Sequence, residues 1–229
     1  MPTVLISHRY RFIYLKTMKT ASTSVEIYFE PACLPAEHYS DRRQETEQIV
    51  TEAGVIGARK PDTTKSEWFN HMPAAAVRDK VGPEIWSRYR KFCVIRNPFD
   101  KVVSWWWHRR GIGQPGAERF RDDQEIRYAF NSWVLRTTDM MMDRDKYVIG
   151  GELCVDRTLR YEHLLADTEE LSEELGLAKS NSAMGKYNSG FRHSSMSFAS
   201  YYEPAAAAKV AAWFDWELKH FGYSLHPPT

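Results

Sequence analysis

Lys19, Thr20, Ala21, Ser22, Thr23 and Ser24 form a run of small, mostly hydroxyl-bearing residues behind a single lysine. Chemistry of that kind suits the binding of an oxyanion. A strand that enters a helix through small residues brings several backbone N–H groups and the positive end of the helix dipole to one point. Lys19 adds a mobile ammonium, and the hydroxyls of Thr20, Ser22, Thr23 and Ser24 add donors for phosphate-like oxygens. Taken alone, the run is equally well an ordinary helix N-cap with Lys16 and Lys19 in solvent. It is no ATP or GTP loop of the G-x-x-x-x-G-K-[ST] type, because no glycine precedes Gly54. A formal G-x-G-x-x-G does occur at Gly111 to Gly116. It follows a helical pattern rather than a strand and carries Pro115 where a dinucleotide-binding helix should start, so it reads as a loop.

A second junction offers a second anion site. In Arg96-Asn97-Pro98-Phe99-Asp100-Lys101-Val102-Val103-Ser104, the arginine stands at the end of an apolar run, Asn97 suits an N-cap and Pro98 the first helical position. On the helix that follows, Asn97, Lys101 and Ser104 share one stripe, while Phe99, Val102, Val103 and Trp106 share the opposite, core-like face. Arg96 and Ser104 lie about 12 Å apart along the axis, within reach of one phosphate beside the helix if the Arg side chain extends along it. The plain alternative is an arginine paired at a sheet end and an incidental serine. His71, in Trp68-Phe69-Asn70-His71-Met72-Pro73, has a side chain that titrates in the range of a general base. A lone histidine is, on its own, more often structural.

The elements that must position these residues are legible as strands feeding helices. Arg11 to Leu15 and Lys91 to Ile95 are short aromatic and β-branched runs, each followed by a helix start. A third strand is expected within Val155 to Tyr161, with a helix from about Leu164 to Leu175 stopped by Gly176. One last helix should begin near Pro204, place Val210, Trp213, Phe214, Leu218 and Phe221 on one face, and end at Gly222. Strands alternating with helices indicate an α/β fold, a single three-layer domain over residues 1–229 with a central parallel sheet. Residues from about Asp41 to Lys65 and from Gly111 to Asp123 are polar and irregular and read as loops.

Composition narrows the function classes. The 229 residues carry 31 Lys plus Arg against 30 Asp plus Glu, a net charge of +1, which excludes a nucleic-acid coat. With 43% apolar residues, a domain of this length buries roughly 70% of its unfolded surface, so it folds without a disulfide or structural metal. Cys33, Cys93 and Cys154 are odd in number and far apart, which fits a reducing, cytoplasmic setting. No stretch approaches the roughly 20 apolar residues of a membrane span.

Together the two junctions resemble the two nucleotide signatures of sulfotransferases that use 3′-phosphoadenosine 5′-phosphosulfate, particularly the carbohydrate-type members. Met18-Lys19-Thr20-Ala21-Ser22-Thr23 is similar to the family's Pro-Lys-[Thr/Ser]-Gly-[Thr/Ser]-[Thr/Ser] loop for the 5′-phosphosulfate. Arg96, Pro98, Lys101 and Ser104 fill the Arg-x-Pro-x-x-[Arg/Lys]-x-x-Ser signature for the 3′-phosphate. Leu159-Arg160-Tyr161-Glu162-His163-Leu164 resembles the Tyr-Glu-Asp-Leu segment whose tyrosine lies by the adenine. The segment from Trp68 to Pro73 resembles the one carrying the catalytic histidine. The chain departs from the pattern with Met18 for Pro, Ala21 for Gly, and Ser24 where cytosolic members have an adenine-stacking Trp.

The resemblance implies a P-loop-like nucleotide-binding fold. It implies sulfuryl transfer from that donor to an acceptor hydroxyl, on a glycan or a small molecule, with adenosine 3′,5′-bisphosphate as product and without a metal. It makes His71 the base and Lys19 the stabiliser of the leaving phosphate. It assigns donor contacts to Lys19, Thr20, Ala21, Ser22, Thr23, Ser24, Arg96, Ser104 and Tyr161, and further contacts to Asn188 and Arg192. The rival readings are a small-molecule kinase on a related fold and a nucleotide-binding module without turnover. The absent ATP loop and the presence of Arg96 with Ser104 oppose the first; retention of Lys19 and His71 opposes the second.

Overall fold

The computed structural model of the chain describes residues 4–35, 47–58, 66–110, 120–177 and 194–227. The chain divides into two compact units, one from Met1–Ile95 with Asp143–Tyr187, the other from Arg96–Met142 with Asn188–Thr229.

The first unit is built on a six-stranded sheet. Its strands are β1 (Leu5–Ser7), β2 (Phe12–Tyr14), β3 (Ile49–Thr51), β4 (Gly54–Ile56), β5 (Arg90–Ile95) and, after a two-stranded ribbon of β6 (Val148–Ile149) and β7 (Glu152–Leu153), β8 (Arg157–Arg160). Across the sheet the order is β3-β4-β1-β2-β5-β8. β2, β5 and β8 run parallel, with Tyr14 opposite Phe92 and Val94 opposite Leu159. β1 pairs antiparallel with β2 and β4, and β3 with β4. Helices α1 (Ser22–Phe29), α2 (Ala74–Arg88, interrupted at Gly82) and α5 (Leu164–Glu174) belong to this unit. Phe12, Tyr14, Phe29 and Phe92 form its aromatic centre, with Tyr14 stacked on Phe92 at 5.1 Å between ring centroids. Such pairs add about 0.5–1.5 kcal/mol beyond the area they bury. Gly54 is obligatory at the β3–β4 turn: a Cβ there would stand 2.1 Å from the Ile6 carbonyl oxygen.

The second unit is helical: α3 (Pro98–Arg109), α4 (Asp123–Arg136), α6 (Pro204–Trp213) and α7 (Asp215–His220). Phe99, Val102, Val103, Trp106 and Trp107 of α3 bury against Ile126, Phe130 and Val134 of α4 and against Ala206, Val210, Phe214 and Leu218. The apolar stripe read from the sequence is the buried one, and Trp107 joins it. Its indole N–H is satisfied by the Tyr201 hydroxyl at 3.0 Å.

Three expectations are corrected. The central sheet is parallel only across β2, β5 and β8, and antiparallel through β1, β3 and β4. The parallel strands are the ones that feed helices, and only those announce themselves through a strand-to-helix switch. The polar stretch from Asp41 to Lys65 is not all loop, since β3 and β4 lie in it, each three residues long and too short to show alternation. The last helix is two: Phe214 leaves helical geometry at φ −105°, ψ 23°. The hydrogen bonds Phe214 N–H to Val210 O and Leu218 N–H to Phe214 O bridge the break. The stops at Gly176 and Gly222 are as read: both have positive φ, and the next N–H bonds back to the carbonyl five residues earlier, Leu177 to Ser172 and Tyr223 to Leu218. Among the described residues no helix is long and apolar enough to cross a membrane.

Candidate functional site

The chain leaves β2 along the parallel half of the sheet, Leu15 donating its N–H to the Phe92 carbonyl at 2.9 Å. Lys16 turns inward, 2% exposed, and its ammonium meets the Glu26 carboxylate of α1 at 3.2 Å, in a pair sealed from solvent. The Thr17 hydroxyl donates to the Val94 carbonyl of β5 and lies 2.9 Å from the Thr20 hydroxyl. The Met18 N–H donates to the buried Asp143 carboxylate at 2.7 Å. These contacts pin the loop from three sides before Lys19 to Ser24 begin.

Lys19 and Ala21 both adopt the left-handed conformation, at φ 59° and 54°. The cost is about 1–2 kcal/mol for each residue bearing a Cβ. This explains the glycine that the family pattern has at Ala21: glycine takes the same geometry without that cost. It also explains the tolerance of Met18 in place of proline, because the N–H that binds Asp143 is one a proline lacks. Helix α1 starts at Ser22 with no side-chain cap and no acidic residue in its first turn, so nothing of its own neutralises the positive end. Thr20, Ser22 and Ser24 are buried, while Lys19, Ala21 and Thr23 are half-buried.

His71 stands before α2 with φ 54°, a position uncommon for a non-glycine residue and the kind found where a site constrains the backbone. Its Nδ1 lies 3.2 Å from the Lys16 carbonyl oxygen. A carbonyl only accepts, so Nδ1 carries the ring proton and Nε2 keeps its lone pair. Burial, and then the Lys16 ammonium, pull the His71 pKa down to about 4, with the Lys16 carbonyl hydrogen bond and Asp143 opposing and Lys146 reinforcing. The imidazole is therefore neutral at physiological pH. Beside it, Asn70 Oδ1 is buried without a hydrogen-bond partner.

Tyr161 follows β8 directly, opening a short 3₁₀ turn, and packs half-buried against the aromatic core of the first unit. The loop and Tyr161 thus leave the C-terminal ends of parallel strands, the end of an α/β sheet where ligands bind. Arg96 is the residue after β5. In the second unit its guanidinium grips Asp100 one helical turn on, Nη2 to Oδ2 at 2.6 Å, while Asn97 caps α3 by accepting the Phe99 N–H at 2.9 Å. Ser104 lies two turns along α3, half-buried, and Lys101 is buried. Asn188 and Arg192, like the Gly111 to Gly116 loop, lie outside the described residues.

Sequence reasoning missed Lys16, Glu26, Thr17 and Asp143. Lys16 and Glu26 are ten residues apart across a strand-loop-helix turn, and Met18 and Asp143 are 125 apart. Neither spacing has a periodic signature.

Residues 2–223 match the Sulfotransferase family. An uncharacterized protein of Archaeoglobus fulgidus is 26% identical over 106 residues, a stretch covering 46% of this chain and 83% of that protein. No solved structure matches.

Proposed function

We propose that this chain, which belongs to the sulfotransferase family, moves a sulfuryl group from 3′-phosphoadenosine 5′-phosphosulfate to an acceptor hydroxyl. Family membership carries the transferase activity and the need for a sulfate donor. The choice of donor and the roles below are our reading. The observation that carries it is the hydrogen bond between His71 Nδ1 and the Lys16 carbonyl, which ties the candidate base to the strand end that opens the Lys19 to Ser24 loop. The fit to the donor's 5′-phosphosulfate rests on the uncapped, acid-free start of α1 and on Lys19 in the loop before it. Arg96 and Ser104 are the groups for the 3′-phosphate, and Tyr161 is the group for the adenine. Three free thiols fit a cytoplasmic setting.

Sulfuryl transfer asks little covalent work of a protein. The acceptor oxygen forms a bond to sulfur in line with the bond that breaks, the one between sulfur and the oxygen bridging to the nucleotide phosphate. His71 Nε2 takes the hydroxyl proton as that bond forms, a transfer that the Nδ1–H tautomer permits. Charge develops on the bridging oxygen, where the Lys19 ammonium and the α1 dipole stabilise it. Radiolabelled donor with a panel of glycan, phenol and small-alcohol acceptors tests the reading. Label should appear on a hydroxyl acceptor, and transfer from ATP to the same panel instead would place the chemistry with kinases.

A further inference from the structure

Lys16 has no part in the signatures described above, yet it is among the largest side chains buried to under 2% exposure or close to it. Burying a lysine and a glutamate together costs several kcal/mol per ion in desolvation, only partly returned by their attraction. Two apolar side chains of similar volume fill such a space at no such cost. The pair sits at one particular place: its lysine is the residue whose carbonyl holds His71, and its glutamate lies on α1, which the anion loop enters.

We propose that Lys16 is the positioning residue for His71, its carbonyl fixing the Nδ1–H tautomer while its ammonium, anchored by Glu26, holds that stretch of backbone in place. Two parts of one residue then do two jobs. The ion pair with Glu26 holds the Lys16 side chain between β2 and α1, and this fixes the backbone turn that aims its carbonyl at the ring. The ammonium also opposes a second positive charge on that ring. Three charged groups act on His71: Lys16 from the strand end, Asp143 beside the loop, and Lys146 in the turn that follows Asp143. Burial is the largest influence on the ring; the Lys16 ammonium and Lys146 add to it by disfavouring the imidazolium, and Asp143 and the bond to the Lys16 carbonyl oppose it. Nε2 is thereby left unprotonated for an acceptor proton across the neutral pH range. This role rests on the reading of His71 as base, and the experiment separates the two.

The test uses the full chain with ¹⁵N-labelled histidine. Lys16→Met alone takes the ion-pair partner from the buried Glu26 carboxylate and threatens folding. The working variant is therefore Lys16→Met with Glu26→Met, which keeps both volumes and removes both charges. In the unaltered chain, imidazole ¹⁵N shifts should show the Nδ1–H tautomer and no protonation of His71 above about pH 5. In the double variant the His71 midpoint should rise by about one pH unit or more, with tautomer exchange appearing. A merely structural pair would at most change the melting temperature, in either direction, and leave midpoint and tautomer alone; that result overturns the proposal. The acid limb of kcat in the same variant speaks to the other reading. If the NMR midpoint rises and the kinetic limb stays fixed, Lys16 positions the ring as proposed and His71 is not the base.

Discussion

At the scale of single residues, the histidine is where charge, geometry and chemistry meet. On the proposed reading, His71→Ala removes the proton acceptor but touches no donor phosphate. Turnover should fall about 10²-fold or more while affinity for adenosine 3′,5′-bisphosphate, measured by calorimetry, stays within a factor of two or three. Wild-type turnover in that variant would remove the base from this position. The same side chain links stability to pH. Its folded pKa of about 4 lies below the ordinary 6.5, so the folded state favours the neutral ring. That contribution is complete above pH 6.5 and is lost as pH falls toward 4. Between pH 7 and pH 5 the loss is about 2 kcal/mol. Urea unfolding should show that loss in the parent chain and not in His71→Asn, once other titrations, common to both, are subtracted. Lys19 and His71 stand out in the sequence because each sits in a segment that resembles a family motif. Lys16, Glu26 and Asp143 do not, because buried partners brought together by a fold leave no local spacing to read.

The secondary-structure elements tell a similar story one level up. Strands β2, β5 and β8 and helices α1, α3 and α5 could be read because each pairs a short apolar run with a helix start, and because Asn97, Pro98 and Gly176 punctuate them. β1, β3 and β4 escaped since three residues hold no period, and their antiparallel pairing depends on hairpins rather than on crossovers. The break at Phe214 escaped because the apolar face runs through it unbroken: Val210, Phe214 and Leu218 are all buried. The junction of β5 and α3 has an experiment of its own. Arg96 is held by Asp100 rather than left to roam, so it presents its guanidinium in one place at little entropic cost. Arg96→Ala should weaken adenosine 3′,5′-bisphosphate by about tenfold or more and 5′-AMP hardly at all, because only the former carries the 3′-phosphate. Equal losses in calorimetry would take the 3′-phosphate away from Arg96.

For the whole molecule the balance of charge matters, since 31 basic against 30 acidic side chains leave a net charge of +1. Net charge alone gives such a chain little pull on a polyanion. On the reading proposed here, binding of a nucleotide with several negative charges comes from local donors such as the N–H groups and dipole at the start of α1 and Lys19. Such a site exists only in the folded chain, so the ligand must stabilise the fold by mass action. At about 100 times its dissociation constant, adenosine 3′,5′-bisphosphate should add roughly 2.7 kcal/mol to unfolding. Adenosine, which offers the base and ribose but no phosphate, should add almost nothing at the same concentration. Because the contacts are short-range, part of the bisphosphate shift should survive 0.5 M salt, where the screening length is below about 5 Å. Thermal melts with both ligands at low and high salt read all of this in one plate. A bisphosphate no more protective than adenosine would mean that the two signatures are shaped like a donor site without acting as one.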